Sequence, residues 1–244
     1  GILILKKMSN LILKQLYQKI IESSAQNGGT ICVFDLDSTL FNVSPRSQKI
    51  LHNFAHLHGL PELLTIHVDY TDWGIYESLL RFGYQKSEYP DLHLNLKDYW
   101  MKHFFSNEFL HYDTPYLGAI YFVQSLKSKN CSIHYLTGRD VQRMHKGTVE
   151  VLNKWLLPTE PACLHMKPHR SENDEEYKYQ KLKHLAELNP GKEVYFFENE
   201  PVNINYIGKL LPQVNIVFMD TTHSRLDTVK VKHTAIDSFF LGET

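Results

Sequence analysis

Four short apolar runs, each ending abruptly in polar residues, constrain the fold of this chain more than any other feature. The runs are 30–34, 131–136, 193–197 and 214–219. Continuous apolar runs of this length are typical of strands covered on both faces, as in a parallel sheet. Helical patterns lie between the runs, over 116–128, 141–157, 175–188 and 202–211. Alternating strands and helices predict an α/β protein with a Rossmann-like, doubly wound parallel sheet.

The polar residues that follow these runs are candidates for a ligand site. In doubly wound sheets, ligands bind outside the carboxyl ends of the strands. In chain order the candidates include Asp35, Thr137, Gly138, Glu198 and Asn199. Because the carboxyl ends of parallel strands meet at one edge of a sheet, we expect these side chains to lie near one another.

The stretch 45–111 differs from the rest of the chain. It is rich in His, Tyr, Trp and Leu, and it contains helix-like patterns but no clear strand run. We predict a mainly helical cap over 45–111, inserted into an α/β core formed by 9–44 and 112–244. The alternative is that these helices pack directly on the sheet, and we favour the separate cap. Residues 9–25 show the pattern of an amphipathic helix.

Two carboxylates one residue apart, at the end of a buried strand, suit phosphoryl transfer. Asp35 and Asp37 project the same way from a strand or from a tight loop after it. One can attack phosphorus while the other shuttles a proton to the leaving oxygen. The attack brings like charges together, which a bound Mg²⁺ and a lysine usually neutralise. Asp35 and Glu198 offer oxygen ligands of the kind that Mg²⁺ prefers.

The segment 35–39, Asp-Leu-Asp-Ser-Thr, closely resembles the first motif of the haloacid dehalogenase-like hydrolase superfamily. The resemblance extends over most of the chain outside the predicted cap. It implies that Asp35 forms an aspartyl-phosphate and also ligates Mg²⁺. It further implies that Asp37 is the general acid and then the base for the hydrolytic water, with its backbone carbonyl on the metal.

The segment 134–139, His-Tyr-Leu-Thr-Gly-Arg, resembles the approach to the second motif of the same superfamily. The resemblance implies that the hydroxyl of Thr137 and the backbone amide of Gly138 bind phosphoryl oxygens. Arg139 either pairs with a structural carboxylate or contacts the substrate.

The third motif of the superfamily is a lysine, for which the sequence offers two candidates. Lys178 stands near the start of a helical pattern, with Leu182 and Leu185 at helical spacing. Lys167 follows a short strand-like run and could reach the site from a loop. We favour Lys178 as the catalytic and phosphate-binding lysine.

The fourth motif departs from the superfamily pattern, which typically offers two aspartates. Glu198 and Asn199 stand at these positions. Glutamate has a longer side chain and the amide carries no charge, so we expect metal ligation by both residues with lowered affinity. As an alternative, Glu200 contributes through a water molecule.

The sequence therefore predicts a Mg²⁺-dependent phosphomonoesterase that acts through an aspartyl-phosphate on a small phosphorylated metabolite or nucleotide. The dehalogenases that give the superfamily its name lack an aspartate at the position of Asp37, which favours phosphate chemistry here. Two alternatives stay open: a catalytically weakened binding module and a phosphotransferase.

The composition excludes several classes of partner. The chain has 26 Lys plus Arg against 27 Asp plus Glu, and this balance predicts no binding to duplex nucleic acid or to an anionic membrane surface. Cys32, Cys131 and Cys163 are too few and too scattered for a disulfide framework or a zinc site, which favours a reducing, cytoplasmic environment. The apolar start 2–5 is too short to span a membrane, and Met8 is a candidate start of the natural chain.

Overall fold

Strands and helices alternate along most of the chain in the computed structural model, which describes residues 1–242. The strands are β1 (Thr30–Phe34), β2 (Phe41–Asn42), β3 (Thr114–Pro115), β4 (Cys131–Asp140), β5 (Leu164–Lys167), β6 (Val194–Glu198), β7 (Asn215–Met219) and β8 (Thr234–Ile236). The α-helices are α1 (Ile2–Asn27), α2 (Ser44–Leu57), α3 (Tyr76–Arg81), α4 (Pro90–Phe104), α5 (Ala119–Ser128), α6 (Val141–Lys154), α7 (Asp174–Leu188) and α8 (Pro201–Leu210). Short 3₁₀ helices cover Pro61–Thr65, Leu110–Tyr112 and Pro161–Cys163.

Six parallel strands form the main sheet, in the order β5-β4-β1-β6-β7-β8. From β1 the chain adds β4 and β5 on one side and then β6, β7 and β8 on the other. The order therefore reverses at β1, the point at which doubly wound sheets bind ligands. The predicted fold class, a doubly wound α/β sheet, is confirmed.

The sheet is covered on both faces, which explains why its strands are continuous apolar runs. Every residue of β1 and β6 is buried. Helices α1, α5 and α6 cover one face, and α7 and α8 cover the other. Across the middle of the sheet the rings of Phe34 and Phe197 stack with their centroids 4.4 Å apart. Full burial of one such side chain contributes about 1.5–3 kcal/mol relative to exposure.

The first helix begins earlier than the sequence pattern predicted. The expected helix covered 9–25, whereas α1 covers Ile2–Asn27. Its first turns carry exposed apolar side chains, so they follow no amphipathic pattern that could have predicted them. Within residues 1–242, no helix combines the length and the apolar character needed to cross a membrane.

Residues 44–112, called here the helical segment, hold only α-helices and 3₁₀ helices. A hydrophobic cluster of their own includes Leu51, Phe54 and Leu96. The chain leaves the core through β2 and returns through β3, and these two strands pair antiparallel. The separation of 45–111 from the core as a cap remains a prediction.

Replacing Gly118 by alanine should destabilise the core strongly. Gly118 has a φ of 80°, and an added Cβ would lie 2.4 Å from the backbone oxygen of Phe239. An alanine in this left-handed backbone conformation is strained, and the strain and the clash together should lower the free energy of unfolding by about 2 kcal/mol or more. Gly28, with a φ of 73° and no atom within 4 Å of such a Cβ, is the matched control. Gly28→Ala should cost only about 1 kcal/mol, and equal losses in urea denaturation would contradict the role of the clash.

Candidate active site

Asp35 directly follows β1 at the reversal point of the sheet. Its backbone N–H donates to the carbonyl of Phe197, 3.0 Å away, which continues the pairing with β6 by one residue. The chain then turns sharply, with Ser38 at a φ of 61° and the amide of Leu40 bonded to the carbonyl of Leu36. This turn keeps Asp35 5% exposed at the floor of a cavity.

The side chain of Asp35 is held by two donors. Nζ of Lys178 lies 2.9 Å from its Oδ1 and 2.7 Å from Oε2 of Glu198. Oγ1 of Thr39 donates to its Oδ2 over 2.9 Å. Of the two candidate lysines, Lys178 therefore lies against Asp35. Nζ of Lys167 contacts Asp174 instead, over 2.7 Å.

The sequence of α7 explains the position of Lys178. The helix begins after Asn173, whose side chain accepts a hydrogen bond from the backbone N–H of Glu176. Tyr177, Leu182 and Leu185 are buried against the sheet on the same helix. Lys178 therefore enters the protein interior within the first turns of α7, close to the edge of the sheet where Asp35 lies.

Burial governs the charges of this cluster. Burial raises the pKa of Asp35 above its ordinary value, although Lys178 acts against this shift. Burial and the neighbouring charge of Asp35 raise the pKa of Glu198 to about 7. Burial would lower the pKa of Lys178, but Asp35 and Glu198 raise it above its ordinary value. Two buried carboxylates thus share one ammonium group, and the excess negative charge favours binding of a cation.

Asp37 lies in a separate network of four charged groups. Its Oδ1 is 2.7 Å from Nη2 of Arg46 and 2.5 Å from Nη2 of Arg139. The same two guanidinium groups also contact Oδ2 of Asp113, at 2.7 and 2.9 Å. Arg46, Arg139 and Asp113 are buried. Burial would raise the pKa of Asp37, but Arg139 and Arg46 hold it well below its usual range.

This network bears on the general-acid role expected for Asp37. A general acid must carry a proton before it can donate one. Between two guanidinium groups Asp37 is ionised at neutral pH, so in this arrangement it can only accept a proton. Arg46 belongs to α2 of the helical segment.

Thr137 and Gly138 lie near the end of β4 and line the same cavity. Oγ1 of Thr137 accepts a hydrogen bond from the backbone N–H of Arg139, 3.1 Å away, so its own hydrogen stays available for a ligand. An added Cβ on Gly138 would lie 2.8 Å from Oδ2 of Asp174. Glycine at this position therefore leaves room for the carboxylate of Asp174.

The carboxyl end of β6 holds Glu198, and Asn199 and Glu200 follow it directly. Oε1 of Glu198 accepts from the backbone N–H of Glu200 over 3.2 Å. The amide of Asn199 accepts from Thr39 over 3.1 Å and donates to the carbonyl of Thr222 over 2.7 Å. Glu200 caps the start of α8 through the backbone N–H of Val202. Asn199 and Glu200 therefore already have protein partners.

The donor set fits a hard divalent cation in its chemistry, because it consists of carboxylate and amide oxygens with excess negative charge. Within residues 1–242, however, no three His, Cys, Asp or Glu side chains are grouped to hold a metal ion. The two carboxylates that lie together at this edge, joined through Lys178, are those of Asp35 and Glu198.

The cavity above these residues encloses about 580 Å³ between the core and the helical segment. All the site residues favoured from the sequence line this cavity, namely Asp35, Asp37, Thr137, Gly138, Lys178, Glu198 and Asn199. Arg139 and Glu200 line it as well. Lys167 does not line it.

Comparison with solved structures identifies the architecture. The chain superposes on a proposed phosphatase from Clostridium difficile with a TM-score of 0.58 and 12% identity, over 86% of this chain and 94% of that protein. For a proposed haloacid dehalogenase-like hydrolase from Burkholderia xenovorans, the TM-score is 0.53 and the identity 14%, over 86% of this chain and 93% of that protein. For a haloacid dehalogenase-like family hydrolase from Streptococcus pneumoniae, the TM-score is 0.51 and the identity 10%, over 85% of this chain and 93% of that protein. The chain has the haloacid dehalogenase-like fold.

Sequence comparison adds nothing to this result, since no protein-family model and no curated protein matches the chain. At identities of 10–14%, these superpositions establish the fold and nothing beyond it. The reaction has to be argued from the site.

Two residues beside the site of this haloacid dehalogenase-like fold were missed by the sequence analysis, Arg46 and Asp113. They lie 67 positions apart in the chain and meet only because β2 and β3 pair. A charged residue on the buried face of α2 is the signal that could have drawn attention to Arg46. For Arg139, the structure shows the pairing with carboxylates, which was one of its two expected roles.

Proposed function

We propose that the protein is a Mg²⁺-dependent phosphomonoester hydrolase that acts through an aspartyl-phosphate on Asp35. One observation carries the proposal: a buried aspartate at the reversal point of the sheet, held by Lys178 and Thr39, faces a cavity. Geometry of this kind orients a nucleophile and neutralises the charge that accumulates when it approaches a phosphate.

The proposed reaction has two steps. In the first, a carboxylate oxygen of Asp35 attacks phosphorus while the bond from phosphorus to the leaving oxygen breaks, and the alcohol departs with a proton from Asp37. In the second, water attacks the phosphorus of the aspartyl-phosphate and gives a proton to Asp37. Inorganic phosphate leaves and both carboxyl groups return to their starting states.

The other residues would bind or neutralise charge. Lys178 would offset the charge on the phosphoryl oxygens, and the hydroxyl of Thr137 with the amide of Gly138 would donate hydrogen bonds to them. The ionised Asp37 suits the second step, in which it accepts a proton. The first step requires a protonated Asp37, so we propose that its contacts with both guanidinium groups, Arg139 and Arg46, loosen before the alcohol departs.

Mg²⁺ would be held by the carboxylates of Asp35 and Glu198, which lie together on Lys178. The amide oxygen of Asn199 and the backbone carbonyl of Asp37 are further candidate ligands. Ligation by Asn199 would compete with its hydrogen bond from Thr39. When bound, the ion would neutralise the negative charge shared by the two carboxylates and the phosphate.

Removal of the metal should stop turnover. With p-nitrophenyl phosphate and millimolar Mg²⁺, we expect hydrolysis that falls about 100-fold or more when EDTA is added and returns with excess Mg²⁺. The rate of p-nitrophenol release measures this directly. Turnover that is insensitive to EDTA would contradict the metal. An absence of turnover across a broad panel of phosphate esters would contradict the hydrolase.

We also propose that residues 45–111 act as a cap. Apolar and aromatic side chains of the helical segment line the same cavity as Asp35. A cavity of about 580 Å³ that the helical segment helps to bound suits a small molecule, so we propose a small phosphorylated metabolite or nucleotide as substrate rather than a phosphoprotein.

A catalytically weakened binding module is the second candidate. The observation that favours it is the engagement of Asn199 by protein partners. This candidate predicts binding of phosphate or phosphonates, measured by calorimetry, without release of inorganic phosphate from any ester.

A further inference from the structure

We propose that the cavity selects phosphate monoesters whose leaving group is an alcohol that carries an aromatic ring and no negative charge. The inference rests on the proposed function, since it concerns the leaving group at the same site. It follows from two properties of the lining, an aromatic wall and an unfavourable charge balance for anions.

One wall of the cavity is apolar and comes from the helical segment. It is formed by Trp73, Trp100, Met101, Phe104 and Phe105. Trp73 is 44% exposed and Met101 is 45% exposed, although both are large apolar side chains. Exposed apolar surface around a cavity is typical of ligand sites, because a ligand can bury it.

The aromatic side chains of this wall are held in place. The rings of Trp100 and Phe104 stack with centroids 4.4 Å apart. Nε1 of Trp100 donates to Oγ of Ser47 over 2.9 Å, so the only hydrogen-bonding group of this indole is already satisfied. The guanidinium of Arg46 lies 4.1 Å from the centre of the Phe104 ring. Trp100 and Phe104 thus form a fixed aromatic surface without a free donor, which suits a planar ring.

The same wall disfavours a sugar as leaving group. Hydroxyl groups that lose water on binding need hydrogen-bond partners in the protein. The side chains of Met101, Phe104 and Phe105 offer no strong donor or acceptor. A polyol would therefore lose hydrogen bonds to water on this side of the cavity, whereas an aromatic ring would not.

The charges of the lining disfavour a second anionic group. The lining includes six carboxylates, on Asp35, Asp37, Asp174, Glu175, Glu198 and Glu200, against Arg139 and Lys178. Carboxylates stay in excess when Arg46 and Lys167, which contact Asp37 and Asp174 from behind the lining, are added to the cations. Both cations of the lining are already paired, Arg139 with Asp37 and Lys178 with Asp35. Within residues 1–242, no other Lys or Arg lines the cavity. A leaving group that carries a carboxylate or a second phosphate would therefore meet repulsion without a compensating cation.

Benzyl phosphate and its derivatives test this inference, because their leaving groups are primary alcohols of similar basicity. In the presence of Mg²⁺ we expect kcat/KM for benzyl phosphate to exceed that for 4-carboxybenzyl phosphate and for ribose 5-phosphate by about tenfold or more. The cationic 4-(aminomethyl)benzyl phosphate should react at least as well as benzyl phosphate. Equal values for benzyl and 4-carboxybenzyl phosphate would overturn the charge argument. Equal values for benzyl phosphate and ribose 5-phosphate would overturn the aromatic one.

Two variants connect the preference to the lining. Trp73→Ala should reduce the ratio of kcat/KM for benzyl phosphate to kcat/KM for ribose 5-phosphate. Glu175→Gln should reduce the corresponding ratio for benzyl phosphate and 4-carboxybenzyl phosphate. Tyr121→Ala removes an aromatic side chain that is 63% exposed and does not line the cavity. Glu187→Gln removes an exposed carboxylate farther along α7. These two controls should leave both ratios unchanged, and an equal change in a control and its partner variant would refute the assignment.

Binding of the matching phosphonates, which cannot be hydrolysed, separates the two proposals. In calorimetry, the Kd of benzylphosphonate should be about tenfold lower than the Kd of 4-carboxybenzylphosphonate, which is the same preference. If the preference holds but no ester is hydrolysed, the proposed function fails and the ligand class stands. If esters are hydrolysed but neither phosphonate is preferred, the ligand class fails and the proposed function stands. If neither phosphonate binds, the ligand class is refuted.

Discussion

Asp35→Asn should lower kcat/KM for p-nitrophenyl phosphate by about 10³-fold or more, because an amide cannot form the proposed aspartyl-phosphate. The substitution keeps the size and shape of the side chain. Hydrogen bonding by Thr39 to the remaining oxygen can persist, and Lys178 keeps Glu198 as a partner. We therefore expect a folded protein whose loss of activity reflects the missing nucleophile. Initial rates and circular dichroism of the same preparation measure both properties.

Asp140→Asn is the matched control for this experiment. Asp140 is also a buried aspartate at the end of a strand of the main sheet, but it does not line the cavity. It caps α6 and contacts Arg143 over 2.7 Å, and asparagine is also a favourable capping residue. Turnover should stay close to that of the natural protein. Wild-type rates for Asp35→Asn, or an equal loss in both variants, would refute the nucleophile.

Much of the sheet was predictable because its strands are buried on both faces. Burial of this kind requires continuous apolar runs, and the abrupt change to Asp35 after 30–34 also marked the edge that holds the site. Short strands at the margins lack this signal. β8 has only three residues and β2 has only two, and neither was predicted.

The site was predictable where its residues lie close in the chain or at strand ends, and less so where it depends on distant pairings. Lys178 was favoured over Lys167 by helical spacing, and the structure places Lys178 against Asp35. The pairing of Asp37 with both arginines was not predicted, because α2 brings Arg46 to Asp37 only in the folded chain and no sequence spacing connects these residues. Local pattern therefore indicated which groups meet, but not the charge state that their neighbours impose.

Asp113→Ala should destabilise the protein by about 3–5 kcal/mol. Asp113 is fully buried and contacts the two buried guanidinium groups of Arg46 and Arg139. Its removal leaves two positive charges in the interior with only Asp37 as a counterion. A buried charge without a partner is far more costly than a lost surface contact, since neither water nor another side chain replaces the carboxylate. Urea denaturation followed by circular dichroism measures the change.

Glu160→Ala provides the comparison at the surface. Glu160 contacts Lys127 over 2.8 Å, and both side chains are largely exposed. Water solvates both groups in the absence of the pair, so the midpoint of urea denaturation should stay unchanged. A midpoint for Asp113→Ala that is also unchanged would show that the network around Asp37 does not stabilise the fold. The expected large difference would instead show that one buried carboxylate holds together the two arginines that keep Asp37 ionised, and so links the stability of the core to the charge of the proposed acid/base.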